Sequence, residues 1–167
     1  MILNRQQRVS VASGPLEVFL ARVRRMLSLP RDSVSVCFVS DAEIARWNRA
    51  YRGKSGPTDV LSFPMSDKHD GEKSRQARSE AGAQGRESPL GRVRRRDGFS
   101  SGAYLGDIAI SPETARRNAQ RLGRTLHEEL RILILHGVLH LLGYDHEADH
   151  GEMDRRERGL RRELGLS

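Results

Sequence analysis

His136, His140 and His146 fall within His136-Gly137-Val138-Leu139-His140-Leu141-Leu142-Gly143-Tyr144-Asp145-His146, so half of the chain's six histidines share one short stretch. Three imidazoles so close together form a ligand set for one divalent ion with its fourth position open. An open position separates a catalytic zinc, which binds and activates water, from a structural zinc enclosed by four protein ligands. Residues four apart stack on one helix face, so His136 and His140 can reach a common ion if this segment is helical. Gly143 suits the left-handed residue that ends a helix, after which the chain can turn back and bring His146 in as the third ligand. Imidazole suits zinc, as it does nickel and copper, and the spacing provides for one ion per chain. Asp145 reads as a partner that orients a ligand imidazole rather than as a base. In His-Glu-x-x-His sites the Glu is the general base, yet here Gly137 stands in that place. The usual peptidase scheme therefore cannot operate unchanged. His69, His127 and His150 lie apart from the cluster and read as solvated or capping residues.

The elements that must hold these ligands follow from periodicity. Leu126, Leu130, Leu133, Ile134, Leu139 and Leu142 recur at offsets of three and four, which predicts a helix over roughly 126–142. Upstream, residues 8–12 read as a short strand, 15–29 as a helix and 33–39 as a second strand. Ser40-Asp41-Ala42-Glu43 has the form of a capping box opening a helix to about Tyr51. Residues 52–57 are dense in turn formers and read as a loop, and 60–63 as a strand that Pro64 ends. Residues 104–110 form a further strand. Ser111 and Pro112 then cap and begin a helix to about Leu122, and a charged helix over about 147–164 closes the chain. The implied class is α/β (α+β): a small mixed β-sheet packed with about five helices, with the metal site at the end of a central helix.

At 167 residues the chain has the size of one domain. Its single cysteine excludes an internal disulfide framework and fits a reducing cytoplasm. Cys37 lies in a strand-like apolar run and reads as a buried, inert thiol. The sequence offers no apolar signal core and no membrane-length apolar run, so a soluble, cytoplasmic protein is expected. The net charge of +7 and pI near 10.4 point to a polyanionic partner, nucleic acid being the commonest. Residues 66–102 differ from the rest in being rich in Gly, Ser, Arg and Glu and poor in apolar residues. Such a stretch cannot bury enough surface to offset its ordering entropy, so it reads as a flexible insertion in a single domain of residues 1–167. Its Arg92, Arg94, Arg95 and Arg96 suit either RNA attraction or plain solvation.

The histidine stretch resembles the signature of the YbeY endoribonucleases, bacterial rRNA maturation factors. Two further stretches are similar to that family: Tyr51-Arg52-Gly53-Lys54, continuing through Pro57-Thr58-Asp59-Val60-Leu61-Ser62-Phe63-Pro64, and Leu105-Gly106-Asp107-Ile108. The resemblance spans the chain apart from residues 66–102, which exceed the usual connection. It implies a zinc-dependent endoribonuclease specific for single strands, acting in rRNA processing at the 3′ end of small-subunit rRNA and in ribosome quality control. RNA and the ribosome would be partners, with ribosomal proteins or assembly factors beside them. His136, His140 and His146 would bind the zinc, and Arg52 would be the other residue tied to activity. The chemistry is compatible, because phosphodiester cleavage needs developing negative charge stabilised, which a metal and a guanidinium supply. Arg52 can donate two parallel hydrogen bonds to a phosphate, and Lys54 can add a point charge on the same segment. Two other readings stand beside this one: a zinc peptidase, which Gly137 disfavours, and a ribosome-assembly factor with structural zinc, for which Asp145 or Asp149 would have to serve as fourth ligand.

Overall fold

The computed structural model describes residues 1–65, 104–144 and 151–166. Their elements run β1 (Ile2–Asn4), α1 (Ser13–Met26), β2 (Val34–Phe38), α2 (Asp41–Arg52), β3 (Val60–Pro64), β4 (Gly106–Ile110), α3 (Pro112–Arg121), α4 (Leu126–Leu141) and α5 (Glu152–Leu164). The strands make one mixed sheet in the order β1-β2-β4-β3. β1, β2 and β4 are parallel, and β3 joins β4 antiparallel at the edge. With five helices among the described residues, this is the α/β arrangement that the sequence implies.

Side-chain alternation gives the sheet two different faces. Val34, Val36, Phe38, Ile108 and Ile110 enter the main core with Leu16, Leu20, Ile134, Leu135 and Val138 from α1 and α4. Cys37, Ala109 and Leu61 point the other way and meet Ile44 and Trp47 of α2. α4 is apolar on almost every side, the pattern of a helix enclosed by neighbours; ten of its sixteen residues are buried. Thr125 starts it with a reciprocal capping box to Glu128, a signal that periodicity alone passes over. No helix among the described residues is long and apolar enough to cross a membrane.

Among the boundaries that differ from the sequence reading, three bear on the sheet and the site. The first strand is Ile2–Asn4 rather than residues 8–12, because the buried Gln6 amide closes a turn there, donating to Val9 O and accepting from Val9 N, both at 2.9 Å. Arg52 ends α2 instead of opening a loop, since the left-handed residue that stops the helix is Gly53, at φ 66°. α5 begins at Glu152. The proposed insertion at 66–102 lies outside the described residues.

Candidate active site

The positions of His136 and His140 are set by the last turns of α4. Its Gly137 packs against β4 so closely that a Cβ there would lie 2.8 Å from Ile108 Cγ2. Ser62 Oγ of β3 donates to Gly137 O at 3.3 Å. These contacts hold the helix on the sheet and explain why the position next to the first histidine is glycine. A carboxylate at 137 would have to displace Ile108, so this backbone does not offer the peptidase base a place.

His136 and His140 do come together. Their Nε2 atoms lie 3.0 Å apart, with the rings inclined at 74°, so two imidazole nitrogens converge on one point. Nδ1 of His136 is 2.9 Å from Glu157 Oε2 of α5, and Arg161 binds the other oxygen of that carboxylate. Burial opposes ionisation of Glu157, but the hydrogen bond from His136 and the charge of Arg161 outweigh it and hold the carboxyl below its usual range. An ionised carboxylate can only accept. Nδ1 of His136 is therefore the donor, and when the ring is neutral its lone pair lies on Nε2, the tautomer a metal ligand requires. This donor set fits a borderline divalent metal such as zinc. His146, the third expected ligand, and Asp145, its expected orienting partner, lie outside the described residues, as do His69 and His150.

His127 departs from the expectation of solvation or capping. It is half-buried in the first turn of α4, where Thr125 is the cap. Its Nε2 is enclosed and has no hydrogen-bond partner among the described residues. Burial, reinforced by the nearby Arg131, lowers its pKa.

Arg52 and Lys54 are exposed at the C-terminal end of α2. The helix end is fixed by Tyr51, whose ring meets Phe63 edge-on at 5.2 Å, and buried Asn48 pins the following loop by donating to Gly56 O at 3.0 Å. Phe63 pairs with Asp107 in the β3–β4 ladder. At the same end of that ladder, Leu141 of α4 closes on Gly106. The C-terminal ends of α2 and α4 thus meet the same end of the β3–β4 ladder, α2 on the Ile44 face of the sheet and α4 on the main-core face.

The sequence reading missed Glu157 and Arg161. The signal was present: Met153, Leu160 and Leu164 form the buried row of α5, and Glu157 is the single acidic residue set into it. An acid at an apolar position needs a partner.

The pattern of Endoribonuclease YbeY proteins matches residues 2–165 of this sequence. The chain belongs to the Endoribonuclease YbeY family. It is 39% identical over 166 residues to "Endoribonuclease YbeY" of Koribacter versatilis (strain Ellin345), covering 99% of this chain and 86% of that protein. It is 35% identical to the protein of the same name from Aquifex aeolicus (strain VF5), over 95% of this chain and 85% of the other. Among solved structures it is similar to the solution structure of TM1509 from Thermotoga maritima, with a TM-score of 0.54 and 25% identity, covering 98% of this chain and 89% of that one. The family is one of endoribonucleases, enzymes that hydrolyse RNA internally.

Proposed function

We propose that this chain is a zinc-dependent endoribonuclease that cuts single-stranded RNA, acting in the cytoplasm on the 3′ end of small-subunit rRNA and in ribosome quality control. The observation that carries the reading is the convergence of His136 and His140 Nε2, 3.0 Å apart, in a chain of an endoribonuclease family. His136, His140 and His146 would hold one zinc, which when bound supplies Lewis-acid stabilisation of charge developing on a phosphoryl oxygen. Arg52 would grip the same phosphate with its planar fork, and Lys54 would add a point charge from the adjoining loop. The net charge of +7 favours encounter with RNA and its ribosomal surroundings. Ribosomal proteins or assembly factors would be neighbours there.

The test combines metal analysis with cleavage. Chain purified without chelator is expected to carry close to one equivalent of zinc and to cut single-stranded RNA. His136→Ala/His140→Ala/His146→Ala is expected to stay folded and lose both properties. A folded triple variant that cleaves like the parent would overturn the reading, and a variant that unfolds would make the zinc structural.

A further inference from the structure

We infer that Glu157 is a positioning residue of the metal site: its carboxylate accepts from Nδ1 of His136 and aims Nε2 of that ring at the point which His140 Nε2 faces. The inference rests on the metal reading above. Glu157 Oε2 lies 2.9 Å from His136 Nδ1, and the Glu157 side chain is 7% exposed against 24% for His136. Desolvating a carboxylate is costly unless it is paired and hydrogen-bonded. Here Arg161, one turn along the same helix, takes the second oxygen, so the carboxylate is held from one side and delivered to the ring on the other. Met153, Leu160 and Leu164 bury the same face of α5, which keeps the carboxylate from withdrawing. The histidine thus comes from α4 and its orientation from α5. A carboxylate behind a ligand imidazole fixes the tautomer, restricts rotation and raises the basicity of the coordinating nitrogen.

Zinc titration of metal-stripped full-length chain against a chromophoric chelator separates this role from a structural ion pair. The variants are Glu157→Ala, Glu157→Gln, Leu160→Ala as a control that loosens α5 but keeps the carboxylate that bonds His136, and His136→Ala/His140→Ala. Removing such an orienting partner typically weakens metal affinity by about 10–100-fold. Glu157→Ala is expected in that range and Glu157→Gln between it and the parent, since an amide oxygen accepts without the charge. Leu160→Ala is expected to melt lower yet bind zinc like the parent. Nitrogen–proton spectra of the metal-free chain should show His136 protonated at Nδ1 in the parent and mixed tautomers in Glu157→Ala. Zinc affinity of both Glu157 variants within threefold of the parent would overturn the inference while leaving the metal site standing. So would an equal loss in Leu160→Ala. If Glu157→Ala fails to fold, Glu157→Gln decides alone by the same threefold criterion. Full affinity in the double histidine variant would overturn the metal reading itself.

Discussion

Gly137 of α4 and Ile108 of β4 pack with no room for a side chain between them: a Cβ on the glycine would lie 2.8 Å from Ile108 Cγ2 and 2.9 Å from its Cδ1. Both atoms belong to a fully buried side chain, so little room exists for the isoleucine to yield. Gly137→Ala is expected to destabilise the fold by roughly 1–3 kcal/mol, the usual range for overpacking, although alanine is the better helix former. Thermal melting checks it, and a parental melting temperature would mean that α4 can shift off β4. Gly137→Glu should be more damaging still and gain no proteolysis against casein.

Asp41 joins two helix starts. Its Oδ1 accepts from Ser111 Oγ at 2.5 Å and Thr114 Oγ1 at 2.7 Å, and its Oδ2 from Arg117 at 2.7 Å. The Asp41 amide in turn donates to Glu113 Oε2 at 2.8 Å. Partial burial opposes ionisation, but the three hydrogen bonds and the Arg117 charge prevail and lower the pKa from the ordinary 3.8. A depressed folded-state pKa gives stability that is fully present above the unfolded value and lost as pH falls through the folded one. Asp41→Ala should therefore cost roughly 1–2 kcal/mol at neutral pH. Urea unfolding at a series of pH values should show that difference shrinking below about pH 4. A pH-independent gap would assign the loss to packing.

Cys37 should behave as an inert thiol. It is 2% exposed, and burial pushes its pKa up to about 11, against the lowering influence of Arg5. Since the thiolate is the reactive form, a disulfide reagent at about pH 8 should react negligibly with the native chain and promptly after denaturation. Rapid native reaction would mean that β2 opens readily.

Arg52→Ala should reduce RNA cleavage strongly without changing zinc content or melting temperature, because the side chain is exposed and surface replacements away from special features cost little. Arg52→Lys should rescue only in part, lacking the bidentate fork. Lys54→Ala should have the smaller effect and flatten the salt dependence of RNA binding. Full cleavage by Arg52→Ala would return this residue to the ordinary solvated surface.

Much of the fold is legible in the sequence. The apolar rows of α1 and α4, the Ser40 and Ser111 caps and the apolar run of β2 follow from local rules that the fold obeys. Residues 8–12 have the composition of a strand, whereas the choice of Ile2–Asn4 depends on a parallel partner far along the chain and on the Gln6 turn. For the site, the histidine spacing points to the helix face on which His136 and His140 come together. Glu157 was hidden because its contact with His136 spans 21 positions, and a charged helix looks solvated when read alone. Gly137 reads in the sequence as a missing base, while its reason lies in Ile108 on another element.

Met65 N donates to Leu105 O at 2.8 Å, just beyond the Pro64–Gly106 pair that closes the β3–β4 ladder. Whatever chain lies between these residues leaves and returns through one fixed gate. Closing such a loop grows costlier only logarithmically, by about 0.6 kcal/mol for each doubling of its length. Sequence trimmed or lodged between these two residues is therefore expected to cost little, with the sheet on which the histidine helix rests keeping its register.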